Sequence, residues 1–320
     1  MGTAGPAAPA RPAARPPGRA GRRGRVPIAP YLFLAPGVLL LVLFLLVPVG
    51  YAVHLSLRGL RVSGGGPFGR REEVFVGLEN YAAALTSADF LGGFGRLAVY
   101  GLIAVPLTLG LALLFALLLD ATTTTAKRFS RTAIFVPYAV PGVIASLLWG
   151  FLYLPTTSPV SHVTEALGLG AVPFLSGAPL FGSVANIAVW GGVGFNMIII
   201  YTSLRSIPAE VQEAARLDGA SELQIALRVK VPLVAPALVL TGLFALIGTL
   251  QVYGEPTTLA PMTTSITQTW VPLMTIYRDA FTRDDLPLAS AASVLLAVGT
   301  LAVSVVLLRV AQRRAFGSES

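Results

Sequence analysis

Six apolar runs, each long enough to cross a bilayer, leave this chain few folds to choose from. They occupy residues 31–53, 97–119, 132–154, 181–204, 231–253 and 286–308. At a rise of about 1.5 Å per residue, each spans a hydrocarbon layer of about 30 Å. Inside a bilayer every backbone polar group has to be satisfied within the chain, which favours helices. The expectation is an all-α polytopic membrane protein with six transmembrane helices between residues 31 and 308, its apolar sides against lipid. Composition agrees: 54% of the residues are hydrophobic and 12% charged, where soluble domains carry about 25% charged.

Charge placement sets the expected topology. Residues 1–30 are rich in Ala, Pro, Gly and Arg, with Arg11, Arg15, Arg19, Arg22, Arg23 and Arg25 and no acid. Such a segment is expected to be a disordered basic tail. The run that follows exceeds the core of about 7–15 residues found in a signal peptide, so it reads as a retained span. Six spans put both termini on one side. If that side is the cytoplasm, it also gathers Lys127, Arg128, Arg131, Arg205, Arg216, Arg228, Lys230 and the basic end of the tail at 309–320. Outside remain Arg58, Arg61, Arg70, Arg71, Arg96, Arg278 and Arg283. The bias follows the positive-inside rule and implies a multi-pass cell-membrane protein. It also accounts for the net charge of +8 without nucleic acid, for which no basic stripe on a folded face is visible.

Between the fourth and fifth runs lies the one long polar interval flanked on both sides by membrane-length segments. Pro208 stands where a first helical turn tolerates a missing N–H. Val211, Ala214 and Ala215 follow on one face at helical spacing. Asp218-Gly219 supplies a stop, since Gly takes the left-handed conformation at little cost. Ser221 and Gln224 form a capping box for a second short helix, expected to run to Pro232. Elsewhere, the Gly-rich piece Ser63-Gly64-Gly65-Gly66-Pro67 leads to a helix from Asn80 through Leu85, with Ser87 placed to cap a short turn. Residues 155–180 carry many Pro and Gly and are expected to be a compact surface loop.

Catalytic groups are missing from the pattern. His54 and His162 are isolated, cysteine is absent, and a metal site needs several such ligands together. No GxxxxGK[ST] phosphate loop occurs, so a nucleotide engine of that type would sit on another chain. The central runs hold no ionisable residue between their ends, which speaks against a proton-coupled carrier. No enzyme, cofactor or metal chemistry is therefore expected of this chain.

The polar interval resembles the EAA loop of ABC-transporter permease subunits. The match runs through Glu213-Ala214-Ala215, Asp218-Gly219-Ala220 and Pro232, with Pro236 beyond. It departs at Ala226, where a bulky aromatic is common, and at Val229 and Val231, where Ile and Leu are usual. Similarity extends to Phe75-Val76-Gly77-Leu78-Glu79-Asn80-Tyr81, to Arg131-Thr132 with Phe135-Val136-Pro137-Tyr138 and Pro141, and to Trp190 with Gly194-Phe195-Asn196-Met197. These segments are similar to the binding-protein-dependent carbohydrate-uptake family, of the maltose and glycerol-3-phosphate permease type.

That resemblance implies a set of partners. Two ATPase subunits would bind at the cytoplasmic face through Glu213, Ala214, Ala215, Asp218, Gly219, Ala220 and Pro232. A second homologous permease subunit and an extracytoplasmic solute-binding protein would complete an importer. A sugar or sugar-like cargo is expected, with a polyamine or other small solute, or a stand-alone secondary carrier, as the alternatives. Asn186, Trp190 and Asn196 in the fourth run, and Gln251, Tyr253 and Glu255 near the end of the fifth, are the candidates for the solute path, because amides and aromatic faces suit hydroxyl-rich ligands. For each, a role in helix–helix packing or interface anchoring competes.

Overall fold

The computed structural model describes residues 2, 5, 28–63, 70–121 and 126–316. Most of the expected basic tail, residues 64–67 of the Gly-rich piece and residues 317–320 lie outside them. The chain divides into two units, Met1–Gly50 and Tyr51–Ser320. The first holds α1 (Ile28–Leu41) and a π-turn (Val42–Leu46), continuing into α2 (Val47–Ser56), which crosses the boundary. This stretch is apolar on every side of the cylinder, the mark of a membrane span.

In the second unit the chain after α2 forms a hairpin that the sequence did not announce. Strand β1 (Arg58–Ser63) pairs antiparallel with β2 (Arg70–Phe75), Arg58 opposite Phe75 and Ser63 opposite Arg70. Helix α3 (Glu79–Thr86) follows, close to the expected helix. Asn80 fixes it by donating from Nδ2 to the carbonyls of Ser56 at 2.8 Å and Arg58 at 2.6 Å. Ser87 is a cap, but of the 33-residue α4 (Ala88–Asp120), where its hydroxyl accepts from the Phe90 amide at 3.4 Å.

The third apolar run is not one straight helix. It divides into α5 (Lys127–Phe135), a 3-10 turn (Val136–Ala139) and α6 (Gly142–Tyr153), bent by 97°. The cause is local. Pro137 and Pro141 lack an amide donor, and Pro141 pushes Val140 out of the helical region to φ −79°, ψ 126°.

After α7 (Pro159–Ala166) comes α8 (Pro179–Arg205), which matches the fourth run. The polar interval folds as α9 (Ala209–Leu217), α10 (Glu222–Gln224) and a π-turn (Ile225–Lys230) leading into α11 (Val231–Leu233). Pro232 does not stop the helix, as the sequence reading has it. The break falls at Val234, and the pieces on either side differ by 69°. Pro236 explains this, since its ring excludes the carbonyl four residues back and it offers no N–H. The fifth run is thus α12 (Ala235–Leu250), ending before Tyr253.

The chain closes with α13 (Gly254–Leu259), α14 (Pro272–Tyr277), a π-turn (Arg278–Thr282) and α15 (Leu286–Phe316). Helix α15 carries the last span eight residues past 308, into the expected C-terminal tail. Among the described residues four helices are long and apolar enough to cross a membrane, and six crossings result when each bent pair counts as one.

Helices α4 and α8 form the central seam. Ala112, Ala116 and Leu119 pack against Val189, Val193, Met197, Ile200 and Leu204, joined by Val234. Small residues one turn apart let two backbones approach closely, the usual device where lipid supplies no hydrophobic drive. Toward the other end, Leu97, Tyr100 and Ala104 meet Val184, Ile187, Trp270, Val271 and Met274, with Phe174 and Leu175 packed on top. Segments 155–180 and 254–285 therefore dip into the core. Gly194 makes the closest approach: a Cβ there would collide with the Ile134 carbonyl and lie 2.8 Å from Phe135 Cα.

Candidate functional site: a cleft between helices and a polar elbow

Where the bent third run meets α4, α8 and α12, the helices leave a cleft of about 420 Å³. Tyr100 and Thr108 reach it from α4, Asn196 from α8, Thr249 from α12 and Glu255 from α13. One wall is aromatic. Tyr138 stacks on Phe195 with ring centres 4.9 Å apart and planes within 15°, and Phe195 lies 6.3 Å from Phe244. Thus the cleft combines flat apolar faces with hydroxyl, amide and carboxyl groups.

Two of its polar groups are incompletely used. Asn196 is 6% exposed and donates from Nδ2 to the Gly192 carbonyl at 2.9 Å. Its buried Oδ1 accepts no hydrogen bond among the described residues, a shortfall native interiors rarely tolerate without a reason. Glu255 is half-buried and is the one Asp, Glu, Lys, Arg or His among the described lining residues. Among its described lining residues the cleft thus offers hydroxyl groups and one carboxylate, with no guanidinium or ammonium beside them.

The six candidates for the solute path separate. Asn196 and Glu255 line the cleft together. Asn186 does not: it donates to the Tyr153 hydroxyl at 2.9 Å beside a different hollow, lined by Trp149, Tyr153 and Phe174. Trp190 packs edge-on to Trp149, ring centres 6.0 Å apart, at the margin of the buried cluster. Gln251 is exposed at the end of α12, and Tyr253 lies 5.7 Å from the ring of Tyr277 in a third hollow, shared with Arg278. The sequence reading missed Tyr100, Thr108, Tyr138, Phe195, Phe244 and Thr249. For Thr108 and Thr249 a faint signal exists, a hydroxyl inside an otherwise apolar run.

The polar interval forms an elbow at the other end of α8. Helix α9 ends at Asp218, and Gly219 takes φ +81°, so that the Ala220 amide donates back to the Ala215 carbonyl at 3.0 Å. The capping box read from the sequence is present: Gln224 N donates to Ser221 Oγ at 3.3 Å and Ser221 N to Gln224 Oε1 at 2.8 Å. Arg216 Nε donates to Glu222 Oε1 at 2.8 Å across the corner. That bond, more than anything else nearby, holds the Glu222 carboxyl below its ordinary range and raises Arg216.

Glu213, Ala214, Asp218, Gly219 and Pro232 are exposed, while Ala215 and Ala220 are half-buried. Around them the elbow shows apolar side chains outward: Leu217 is 89% exposed, Leu223 68% and Leu227 55%. Large apolar groups displayed on a polar loop suit contact with a protein partner or with the membrane surface.

Comparison with known proteins gives a consistent result. Residues 80–315 match the family model described as "Binding-protein-dependent transport system inner membrane component". The sn-glycerol-3-phosphate transport system permease protein UgpA of Salmonella choleraesuis (strain SC-B67) is 30% identical over 284 residues, covering 88% of this chain and 92% of that protein. Its counterpart in Escherichia coli O6:K15:H31 (strain 536 / UPEC) is 29% identical over the same length. Among solved structures, a chain of a bacterial ABC transporter involved in the import of the acidic polysaccharide alginate superposes with a TM-score of 0.73 at 21% identity, covering 89% of this chain and 95% of that one.

Proposed function

Because the chain belongs to the binding-protein-dependent transport system inner membrane component family, we propose that it is one membrane half of an ATP-driven importer for a hydroxyl-rich, sugar-like solute. A second, similar permease subunit faces the cleft, an extracytoplasmic solute-binding protein delivers the cargo, and two ATPase subunits sit against the elbow. Both termini and the elbow lie in the cytoplasm, with six crossings between residues 31 and 308. The basic tail at 1–30 and the end at 309–320 stay on that inner side.

The observation that carries this reading is the elbow itself. Exposed Leu217, Leu223 and Leu227 surround Glu213, giving a partner both apolar contact and a carboxylate for a charge-assisted bond. Ala214, Ala215 and Gly219 let its backbone come close. Closure of the ATPase pair pushes the elbow, and the attached helices turn as rigid bodies between inward- and outward-open states. Uptake by the complex in proteoliposomes with ATP inside tests this. Glu213→Lys and Gly219→Val abolish uptake while insertion into the membrane is unchanged; full uptake by both variants would remove the proposal.

The lining of the cleft favours an uncharged cargo. The relatives are named for sn-glycerol-3-phosphate and alginate, which are anions. Here the described lining offers Glu255 and no basic side chain, an arrangement that repels a phosphate or uronate and accepts hydroxyl protons. Stacked aromatic faces suit the C–H side of a sugar ring. A cationic amine is the second reading, since a carboxylate beside aromatic faces also attracts ammonium. Competition of a neutral oligosaccharide against spermidine for uptake decides between them.

A further inference from the structure

The elbow is held at its base by one carboxylate. Asp120, the last residue of α4, is 7% exposed and Lys230, at the end of the π-turn, 6%. Lys230 Nζ donates to Asp120 Oδ2 at 2.7 Å, and Arg205 Nη1 lies 4.0 Å from Asp120 Oδ1. Arg205 and Lys230 are the residues just before and just after the interval 206–229. A single side chain on a third helix therefore meets both ends of the elbow.

This arrangement is costly, so its position calls for an explanation. A carboxylate at a helix C-terminus opposes the macrodipole. Burying it with an ammonium loses the hydration of both, and well-packed apolar residues of like volume often serve stability as well or better. What such a pair supplies is a defined position. The neighbouring residues show what is positioned: Leu119, Leu204 and Val234 are buried in the seam between α4 and α8, each within four residues of the ionic contact. The pair closes the end of that seam. Arg205 is 65% exposed on its side chain and screened by water, so Lys230 makes the stronger contact.

We propose that Asp120 is a positioning residue for coupling: through Lys230, and secondarily Arg205, it fixes the base of the elbow to α4, so that a push on α9 reaches the α4–α8 seam and the bent fifth run instead of flexing the loop. The proposal rests on the importer reading above, and its test separates the two.

The test uses the full chain assembled with its partner permease, ATPase subunits and solute receptor. In Lys230→Met and Asp120→Asn, stimulation of ATPase by the loaded receptor falls at least about fivefold, the lower end of ordinary coupling between sites, and solute moved per ATP falls with it. Lys230→Arg, which keeps the charge, retains most of both. Hydrogen exchange on the purified chain supplies a readout without partners: amides in 206–229 exchange faster in Lys230→Met, while those of α8 keep their protection. Unchanged exchange in the elbow, or wild-type stimulation in both Lys230→Met and Asp120→Asn, overturns the proposal. If the wild-type complex shows no ATP-dependent uptake, the importer reading falls and the exchange comparison still decides the clamp.

Discussion

The side-chain amide of Asn186 donates to the Tyr153 hydroxyl at 2.9 Å, and that hydroxyl donates in turn to the Ser183 carbonyl at 3.0 Å. One relay thus ties α6 to α8 on the side away from the cleft. The Tyr153 hydroxyl is thereby used twice, and the amide it holds stands beside a hollow separate from the cleft.

Asn186→Ala is accordingly expected to lower stability and leave solute handling alone. Hydrogen bonds between membrane helices contribute about 0.6 kcal/mol on average, up to about 1.7, so a loss near the middle of that range should appear in thermal unfolding of the purified chain. Receptor-stimulated ATPase should keep its wild-type dependence on solute concentration.

Asn196 should behave in the opposite way. Its Oδ1 has no protein donor among the described residues, and the side chain lines the cleft. Asn196→Leu is expected to raise the solute concentration for half-maximal uptake about fivefold, equivalent to one hydrogen bond of about 1 kcal/mol. Glu255→Gln should weaken uptake of a neutral sugar by a similar factor. Glu255→Arg should admit competition by glycerol phosphate that the wild type ignores, and a wild-type competition profile in that variant would count against the charge argument.

Gly194→Ala tests packing rather than polarity. Its methyl group would meet the Ile134 carbonyl and the Phe135 Cα, a backbone pair with no rotamer to give way. Overpacking of this kind costs about 1–3 kcal/mol. A methyl at Gly110, on α4, meets nothing within 4 Å, so Gly110→Ala is the matched control in a thermal melt.

The corner of the elbow has a pH signature. The Arg216 bond depresses Glu222 in the folded chain from an ordinary value of 4.5. A depressed carboxylate contributes its stabilisation above the unfolded value and loses it as pH falls through the folded one. After correction for intrinsic rates, exchange of the α10 and π-turn amides should therefore be insensitive to pH near neutrality, where the pair is fully formed, and quicken below about pH 4.5. Glu222→Gln should remove that acid-side change; an identical profile in the variant would show that the pair does not secure the corner.

How far the sequence revealed this molecule depends on the range of the interactions involved. Long apolar runs marked α4, α8 and α15 because lipid imposes length and polarity locally. Ser221 with Gln224, and Gly219 behind Asp218, revealed the elbow because caps and left-handed corners involve only a few neighbouring residues. The bends were harder. Pro141 and Pro236 were visible, yet a proline in a membrane helix is often tolerated, and only the packed structure puts breaks at Val140 and Val234. The cleft was least legible. Asn186 and Asn196 are the same residue type on the same helix, and what separates them is the surroundings that folding brings, Trp149 and Tyr153 around the one and the cleft around the other. Asp120 and Lys230 stand 110 positions apart, beyond any local pattern.

At Gly194 two segments touch backbone to backbone, with no side chain between them to act as a cushion. Their spacing is set by van der Waals contact between main-chain atoms, so a change of rotamer can neither widen nor narrow it. The stacked rings of Tyr138 and Phe195 are mounted on those two segments, so under the importer reading proposed above they would shift as one plate with the backbones that carry them.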